Sequence, residues 1–303
     1  MKLAEVIRNP KKTVKYLGAR GFLNWMSDKT YCDLVFQANF HKKMDWDEPK
    51  SFNEKLQWLK LHDRNALYPI MVDKHAVREL IQEKWGGHYL IPLALDEVWY
   101  RAEDIPFERL PKQFVLKCTH GSGCNVICKD KSRLDIEQTR NKIRKWMKQN
   151  WFWYGREWPY KELTPKIIAE KYMSDESCDE LKDYKVLCFN GKPRLIEVHT
   201  GRFNEKHQQI FYDTNWNKTQ ITQTGLPADA DIAEPPTLKQ MLSLSGCLAE
   251  GTKVVRIDWY DIGGQLYFGE FTLYDGSGFQ PFDRYEDDLL LGSWINLFEE
   301  GKQ

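Results

Sequence analysis

Along the first third of the chain, hydrophobic side chains recur with the spacing of amphipathic helices. In SFNEKLQWLKLHDRN, Ser51 is followed three residues later by Glu54, which is the pattern of a capping box at a helix start. In DKHAVRELIQEKWGG, Asp73 is the predicted N-cap and a pair of glycines ends the helix. A short strand is predicted within YLIPLALDEVW. This region is therefore expected to be mostly helical.

From about residue 113 the pattern changes to short β-type runs joined by turns. FVLKCTHGSGCNVICKD predicts a hairpin around a glycine loop. Two more hairpins are predicted, one turning at Asn190-Gly191 and one at Gly263-Gly264. Further strands are predicted in PKIIAEKYM and QIFYDTNW, and helices in RLDIEQTRNKIRKWMKQN and TLKQMLSLSGCLAEG. The predicted fold class is α+β, with antiparallel hairpins and two intervening helices.

Composition narrows the class of protein. The 303 residues are 42% hydrophobic, which supports a sizeable core, and 29% charged with a formal net charge of zero. This balance argues against disorder and against a dedicated nucleic-acid binder. No apolar run is long enough to span a bilayer, and the N-terminus lacks the apolar core of a signal peptide. The seven cysteines have no zinc-site spacing, so reduced thiols and a cytoplasmic location are expected.

Two local biases in composition each have two interpretations. The first twenty residues carry many cations and a single acid, which suits a solvated helix face or weak association with an anionic membrane or lipid-linked acidic glycan. The residues concerned are Lys2, Glu5, Arg8, Lys11, Lys12, Lys15 and Arg20. The aromatic run WFWYGREWPY, residues 151–160, suits packing between subdomains or a platform for stacking sugars.

The glycine loop of the first hairpin suits a lid over phosphates. Lys117 lies on the strand that enters His120-Gly121-Ser122-Gly123, and no helix follows the loop. A Walker A loop needs its lysine after the loop and a helix behind it, and a dinucleotide fingerprint needs a third glycine. We expect the strand to hold Lys117 against inner phosphates while the backbone N–H groups of the loop cover the outer ones.

The last hairpin carries the residue types of a magnesium site. Arg256 and Asp258 are two apart, so their side chains share one strand face, and Glu270 on the partner strand is expected to lie across from Asp258. Mg²⁺ prefers one or two carboxylates together with nucleotide phosphates. Arg256 is suited to hold a phosphate or a developing oxyanion. The alternative is an Arg256–Asp258 ion pair on a solvated face, although the surrounding residues are apolar and aromatic.

Two further strands carry charged residues that are weaker evidence for a nucleotide site. The strand that ends in Glu170-Lys171-Tyr172-Met173 is suited to an adenine-binding hinge, with Glu170 accepting from the amino group, or simply leaves the core. Asp183 and Lys185 share one strand face. They suit a ribose hydroxyl and a phosphate respectively, although a solvent-facing salt bridge is at least as common.

The order of these motifs over residues 113–275 resembles the ATP-grasp superfamily. A finer set of motifs, over nearly the whole chain, is similar to the TupA-like ATP-grasp family, named after a teichuronopeptide biosynthesis protein. These motifs are SFNEKLQWLK, DKHAVRE, FVLKCTHGSG, IIAEKYM, LKDYKVLCFNGKP and GEFTLYDGSGF. The resemblance implies an ATP-grasp fold, in which two antiparallel-sheet subdomains clamp ATP. It implies a helical N-terminal region at 1–112, a lid subdomain at 113–173 and a metal-binding subdomain at 174–303.

The activity implied by the resemblance is that of an ATP- and magnesium-dependent carboxylate–amine ligase, which forms an amide through an acyl phosphate. Two metal ions are expected. The residues implied to bind phosphates are Lys117 and the loop His120, Gly121, Ser122 and Gly123, and Lys185 is implied to contact a phosphate or the acyl phosphate. The residues implied at the adenine are Glu170, Lys171, Tyr172 and Met173, and Asp183 is implied to contact the nucleotide. Asp258 and Glu270 are the implied magnesium ligands, and Arg256 is implied to stabilise the oxyanion. One departure is Thr272, a neutral and poorer ligand where the superfamily commonly has asparagine.

The resemblance also implies work on a cell-surface polysaccharide such as a capsule. The expected partners are an amino acid or other amine and a uronic-acid glycan or sugar nucleotide, with the reverse assignment, an amino-acid carboxylate and an amino sugar, left open. Candidate substrate residues are His199, Arg202, Thr272, Tyr274 and Ser277. Arg202 suits a carboxylate clamp or an ordinary surface role equally well. Lys55, Asp73 and Lys74 are further candidates for acceptor choice.

Two other functions remain as alternatives. A nucleotide-sugar glycosyltransferase would use the carboxylates of Asp258 and Asp261. A non-catalytic glycan-binding protein would use the aromatic side chains, and would not need Lys117, Asp258 and Glu270. The expected location is cytoplasmic, with the inner face of the membrane as a second site of residence.

Overall fold

Two antiparallel β-sheets organise the chain in the computed structural model, which describes residues 13–14, 17–18, 21–174, 181–201, 207–223 and 225–298. The strands are β1 (Leu93–Trp99), β2 (Phe114–Cys118), β3 (Asn125–Cys128), β4 (Ile167–Lys171), β5 (Asp183–Phe189), β6 (Lys192–Thr200), β7 (Gln208–Tyr212), β8 (Val254–Ile262) and β9 (Gln265–Thr272). Across the described residues, the first sheet has the order β1-β4-β2-β3 and the second has the order β7-β6-β5-β8-β9. The predicted α+β class is confirmed.

The helices of the described residues lie before, between and after these strands. They are α1 (Asp28–Phe40), α2 (Phe52–His62), α3 (Tyr68–Val72), α4 (Ala76–Trp85), α5 (Ile136–Met147), α6 (Phe152–Gly155), α7 (Leu238–Leu248) and α8 (Tyr285–Ser293). The first four precede the sheets, which confirms a largely helical N-terminal region. Within the described ranges, no helix is both long and apolar enough to cross a membrane.

The first sheet has one face against its own core and one face toward the rest of the molecule. Along β2, Phe114, Leu116 and Cys118 alternate inward and are buried. They pack in a cluster with Ile143 of α5. Lys117 lies on the opposite face, as the period of two along a strand requires. Cys118 is therefore a packing residue.

This sheet begins earlier in the chain than residue 113. β1, which lies in the segment expected to be mostly helical, pairs antiparallel with β4, with Leu93 opposite Glu170 and Trp99 opposite Ile167. Without β1, the backbone N–H and C=O groups along that side of β4 would form an open edge. The predicted strand in YLIPLALDEVW is thus confirmed, and it completes the sheet that was expected to start at 113.

The second sheet is built from the two glycine-turned hairpins. Asn190 and Gly191 have φ of 48° and 75°, and Gly263 and Gly264 have φ of 59° and 80°. Positive φ at both central residues is the geometry of a type I′ turn, which matches the twist of antiparallel strands. Both predicted turn positions are confirmed, and all of β5, the central strand of this sheet, is buried.

Of the two N-caps predicted in the N-terminal region, Ser51 is confirmed and Asp73 is wrong. The Ser51 side chain accepts from the Glu54 backbone N–H while the Glu54 carboxylate accepts from the Ser51 backbone N–H, so the capping box of α2 is confirmed. α4 begins three residues after Asp73, and His75 occupies the N-cap position. The Asp73 carboxylate still accepts from the backbone N–H groups of His75 and Ala76, at 2.8 and 3.2 Å.

Two glycines inside helices differ in how closely the rest of the protein packs against them, so they provide a matched test of helix packing. Gly292 in α8 lies so close to α2 that an added Cβ would be 2.2 Å from the Lys50 carbonyl oxygen and 2.7 Å from the Phe52 nitrogen. A Cβ on Gly246 in α7 would meet nothing nearer than Pro193, at 3.6 Å. Helix propensity alone favours alanine over glycine at both positions by about 1 kcal/mol.

We therefore expect Gly292→Ala to lower the free energy of unfolding by at least about 1–3 kcal/mol, because the two helices must move apart. Gly246→Ala should leave this energy unchanged or raise it. Urea denaturation of both variants measures the difference. A higher free energy of unfolding for Gly292→Ala than for wild type would contradict the close approach of α8 to α2.

Candidate active site

A cavity of about 520 Å³ lies between the two sheets, and ionisable side chains dominate its wall. We call it the charged cavity. Its cations are Lys74, Lys117, Lys185 and Arg256, and its carboxylates are Asp183, Glu197, Asp258, Glu270 and Asp275. The glycine loop contributes Ser122 and Gly123. The structure thus brings together residues from the lid hairpin and from both hairpins of the second sheet.

Asp258 and Glu270 face each other because of a β-bulge. Counted from the turn, β8 and β9 pair without a break as far as Trp259 opposite Phe268, and the next pair is Asp258 opposite Glu270. The extra residue is Gly269, where a Cβ would lie 3.0 Å from the Asp258 carbonyl oxygen. An unbroken register would place Gly269 opposite Asp258 and turn Glu270 to the other face. The expected juxtaposition is confirmed, and the bulge is its cause.

Arg256 donates two hydrogen bonds to Asp258. The guanidinium Nε and Nη2 atoms donate to the two carboxylate oxygens at 2.7 and 3.0 Å. Nη1 donates to Asp275, which follows β9. This forked geometry is the strong form of a charged pair. Arg256 and Asp258 do form an ion pair, but it lies in the cavity wall, so the alternative of a solvated strand face is wrong.

Lys185 is shared between two buried carboxylates. Its Nζ lies 2.8 Å from Asp183 on the same strand and also contacts Asp258 on the neighbouring strand β8. Burial and the charge of Arg256 act to lower the pKa of Lys185, but the surrounding carboxylates outweigh them and raise it. Lys185 is therefore charged in this site. The alternative of a solvent-facing Asp183–Lys185 bridge is wrong, because both side chains are buried.

Lys74 links the glycine loop to the carboxylate of β9. Its Nζ lies 2.8 Å from Glu270 and donates to the Gly121 carbonyl oxygen at 2.9 Å. Burial acts to raise the pKa of Glu270, but the charges of Lys74, Arg256 and Lys185 together lower it to about 2. Glu270 is therefore an ionised carboxylate at neutral pH. Of the three N-terminal candidates, only Lys74 reaches this cavity, since Lys55 donates to backbone carbonyls and Asp73 accepts from backbone N–H groups at the start of α4.

Lys117 projects from the lid strand into the cavity, as expected. Its Nζ pairs with Glu170 of β4 at 2.5 Å, and Arg78 of α4 approaches the same carboxylate at 3.3 Å. Glu170, expected to accept from adenine, is thus held by two cations here. In the glycine loop, the His120 ring does not line the cavity, because it is buried with Nε2 3.1 Å from the Trp146 carbonyl oxygen.

The rest of the expected adenine hinge lies at the end of β4. Lys171 is exposed, and its backbone N–H donates to the Pro92 carbonyl oxygen at 2.9 Å. The Tyr172 ring has Lys129 Nζ 5.9 Å from its centre. Among the described residues, the lining of the charged cavity includes neither of these side chains nor Met173. Their role at an adenine stays a prediction.

A second cavity of about 470 Å³ adjoins the charged cavity. We call it the aromatic cavity. Its rings are Trp151, Tyr154, Tyr160, Tyr274 and Phe279, and Thr272, Ser277 and Glu157 also line it. The two cavities share wall residues, namely Ser122, Arg256, Glu270, Asp275, Gly276 and Gln280. Three substrate candidates, Thr272, Tyr274 and Ser277, therefore lie beside Arg256.

His199 lies at the far wall of the charged cavity in a hydrogen-bonded cluster. Its Nε2 is 2.5 Å from Glu197, and its Nδ1 is 2.9 Å from His207. Burial acts to raise the pKa of Glu197, but the hydrogen bond with His199 and the charges of Arg256 and Lys185 lower it to about 2. The remaining substrate candidate, Arg202, lies outside the described residues.

The residues present fit magnesium and ATP in their chemistry. Asp258 and Glu270 are two facing carboxylates, and Mg²⁺ takes one or two such ligands together with phosphate oxygens. Across the described ranges, no three His, Cys, Asp or Glu side chains are arranged to hold a metal by themselves. Each of the two carboxylates is paired with a cation, and triphosphate oxygens are suited to accept those cations in exchange.

The arrangement of two antiparallel sheets, a glycine hairpin with its strand lysine and a carboxylate pair beside an arginine is that of an ATP-grasp protein. The chain belongs to the TupA-like ATPgrasp family, whose family model matches residues 54–296. The expected family and its ATP-grasp fold are confirmed. No curated protein matches the sequence.

Several solved structures of ATP-grasp ligases are similar at a low level. D-alanine–D-alanine ligase from Bacillus anthracis, complexed with ATP, has 16% identity, covers 67% of this chain and 55% of its own, and has a TM-score of 0.41. The same enzyme from Helicobacter pylori has 12% identity, 82% and 70% coverage and a TM-score of 0.42. D-cycloserine synthetase DcsG has 13% identity, 68% and 63% coverage and a TM-score of 0.37. The chain thus spans 55% to 70% of these proteins.

Sequence reasoning missed several cavity residues. Glu157 lies in the aromatic run that was weighed only for its rings, and Asp275 lies within the quoted motif GEFTLYDGSGF but was given no role. Glu197 and Gln209 belong to the His199 cluster, where Gln209 donates to Glu197 at 2.7 Å. Glu197 lies on β6 opposite Lys185, and that register is the signal that would have found it.

The charged cluster makes a testable contribution to stability. Lys185→Met removes the cation shared by Asp183 and Asp258, so we expect a loss of about 3–5 kcal/mol in the free energy of unfolding. Adding Asp258→Asn should recover roughly 0.5–3 kcal/mol of it, because the cluster then buries one negative charge fewer. Urea denaturation measures both. Lys192→Met, an exposed lysine on the same hairpin, is the control and should change stability by less than about 0.5 kcal/mol. Equal losses at Lys185 and Lys192 would contradict the buried network.

Proposed function

We propose that the protein is an ATP- and magnesium-dependent ligase that joins a carboxylate to an amine through an acyl phosphate. The observation that carries this proposal is the charged cavity, in which Lys117 lies across from the facing carboxylates of Asp258 and Glu270, with Arg256 between the two cavities. A carboxylate is a poor electrophile, and transfer of a phosphoryl group to it creates a good leaving group for attack by an amine.

In this proposal the cations exchange partners when the nucleotide binds. Lys117 and Lys74 would pass from Glu170 and Glu270 to phosphate oxygens, and Glu270 and Asp258 would hold the magnesium ion. The metal supplies neutralisation of charge on the phosphates. Arg256 faces the aromatic cavity as well, so it is suited to stabilise the oxyanion that forms when the amine attacks.

The lid hairpin and the glycine loop would exclude water from the acyl phosphate, which otherwise hydrolyses. Ser122 supports this role because it lines both cavities. We propose the division expected from the sequence, with the helical region at 1–112, the lid at 113–173 and the metal-binding subdomain at 174–303, and with β1 added to the lid sheet. Glu170 to Met173 remain the proposed adenine hinge, with His120 as part of the glycine loop.

We further propose that the product belongs to a cell-surface polysaccharide, with an amino acid or other amine and a uronic-acid or amino-sugar unit as partners. Family resemblance supports this substrate class. A glycosyltransferase or a glycan-binding module would not require the paired Asp258 and Glu270 facing Lys117, so the cavity favours the ligase over both.

Nucleotide binding is the first test. In wild type, Mg-ATP at about 100 times its dissociation constant should add roughly 2.7 kcal/mol of stability, a rise of a few degrees in Tm. Lys117→Ala should abolish this rise, because the lid lysine contacts the phosphates. Differential scanning fluorimetry with Mg-ATP and with Mg-UDP-sugars measures both.

Lys112→Ala is the matched control, since this exposed lysine lies five residues before Lys117 and should leave the rise intact. A rise in Tm with UDP-sugars alone would contradict the proposed ligase activity and favour a glycosyltransferase. No rise with any nucleotide would favour the glycan-binding module.

We also propose residence in the cytoplasm at an anionic membrane face. The chain between Phe22 and Trp25 forms a turn whose aromatic side chains are 62% and 81% exposed. This turn follows the basic first twenty residues, and basic charge beside exposed tryptophan and phenylalanine suits an anionic lipid interface.

Vesicle sedimentation tests this surface. Wild type should bind vesicles that contain phosphatidylglycerol and not vesicles of phosphatidylcholine alone, and salt should weaken the binding. Phe22→Ser with Trp25→Ser should reduce the bound fraction several-fold, because the apolar anchors are lost. Phe298→Ser removes a similarly exposed ring, 67% exposed, and should have no effect. Equal binding by all variants would contradict the proposed surface.

A further inference from the structure

The aromatic cavity has an excess of negative charge. Its acidic and basic wall residues are the carboxylates of Glu157, Glu270 and Asp275 and the guanidinium of Arg256. That guanidinium is already bonded to Asp258 and Asp275. Among the described residues, the wall therefore offers a ligand carboxylate no cation that is not engaged with protein carboxylates.

Glu157 is the carboxylate of this cavity that lies away from the charged one. It is only 5% exposed, and Ser277 Oγ donates to its Oε1 at 2.5 Å. Burial raises its pKa, since no paired cation compensates it fully. The charge of Lys60 acts to lower this pKa, and the Lys60 Nζ donates to Gln57 Oε1 and to the carbonyl oxygens of Gly155 and Ser277.

The aromatic wall reinforces the preference for a cation. Trp151, Tyr154 and Tyr160 line the cavity together with Glu157, which lies between Tyr154 and Tyr160 in sequence. The faces of such rings attract ammonium groups, and the attraction increases when water is excluded. Their carbon surfaces also provide apolar contact for a ring-shaped ligand. Carboxylate and rings thus favour the same charge on the ligand.

The proposed ligase needs an amine substrate, and the charge of this cavity discriminates between two kinds. An amino acid would bring its own α-carboxylate into a wall that already holds three carboxylates. Burying that carboxylate without a cation is costly. An amino sugar carries an ammonium on a compact ring and has no carboxylate.

We infer that the aromatic cavity binds the amine substrate as an amino sugar, with the ammonium held by Glu157. The inference rests on the proposed ligase and assigns its partners: the amine comes from a sugar, and the activated carboxylate comes from the other substrate. Glu157 is then a specificity-determining residue that no sequence motif for nucleotide or metal predicted.

The test compares three probes on the whole protein with magnesium and a non-hydrolysable ATP analogue. The probes are D-glucosamine, D-glucose and L-glutamate at neutral pH, where the amines are still mostly charged and acid does not favour the uncharged form of Glu157. Isothermal calorimetry should show glucosamine binding roughly tenfold more tightly than glucose, the size expected for one charge-assisted hydrogen-bonded pair. Glutamate should bind no better than glucose.

Glu157→Gln should bring glucosamine to the affinity of glucose and leave binding of the ATP analogue unchanged. Glu162→Gln, an exposed carboxylate five residues later, is the matched control and should keep the tenfold preference. If Glu157→Gln fails to fold, the comparison of the three probes on wild type still decides.

Equal behaviour of glucosamine and glucose, including no binding of either, would overturn the inference, and so would preferential binding of glutamate. In these cases, retained binding of the ATP analogue that depends on Lys117 would show that only the amino-sugar assignment has failed. Loss of nucleotide binding in wild type would mean instead that the proposed ligase itself is wrong.

Discussion

The charged site depends on the way in which one buried carboxylate, Asp258, is neutralised. It receives two hydrogen bonds from Arg256 on its own strand and a contact from Lys185 on the neighbouring strand β5. A buried carboxylate without such partners is strongly unfavourable, so β5 and β8 are joined by charge as well as by backbone hydrogen bonds. The same contacts aim Arg256 at Asp275 and so fix the chain after β9. The pairing of Asp258 with two cations thereby positions the side chains that form the wall between the two cavities.

The N-terminal helices support that wall from behind. Gln57 and Lys60, on the polar face of α2, donate to the carbonyl oxygens of Gly278 and Ser277, which belong to the turn after Asp275. Lys60 also donates to the Gly155 carbonyl oxygen, at the end of α6. These bonds satisfy backbone carbonyls that would otherwise be buried without partners. The motif SFNEKLQWLK thus belongs to the support of the aromatic cavity, although its side chains do not line it.

The charges divide the site into two chemical environments. In the charged cavity Asp258 and Glu270 each have a cation beside them, so in the proposed reaction incoming phosphates would take over the cations and leave the carboxylates to a metal. In the aromatic cavity carboxylates outnumber cations and five aromatic rings line the wall. The two environments meet at Arg256 and Glu270, where a phosphorylated carboxylate and an amine would come together. This division is the physical reason for assigning different substrates to the two cavities.

The sequence by itself determined the local structure and much of the charged cavity. The capping box at Ser51, the turns at Asn190-Gly191 and Gly263-Gly264, and the shared face of Arg256 and Asp258 follow from contacts within a few residues. Local geometry fixes such features wherever the segment lies in the fold. The resemblance to the ATP-grasp family then gave the order in which these segments assemble.

Only the tertiary structure decided which residues meet over long distances. The bulge at Gly269 turns Glu270 toward Asp258, and β1 leaves the helical region to pair with β4. Glu170 is held by Lys117 and Arg78 from separate elements. Glu157 accepts a hydrogen bond from Ser277, which is distant in sequence. Side-chain spacing carries no information on such contacts, because register shifts, strand order and burial depend on how the whole chain packs.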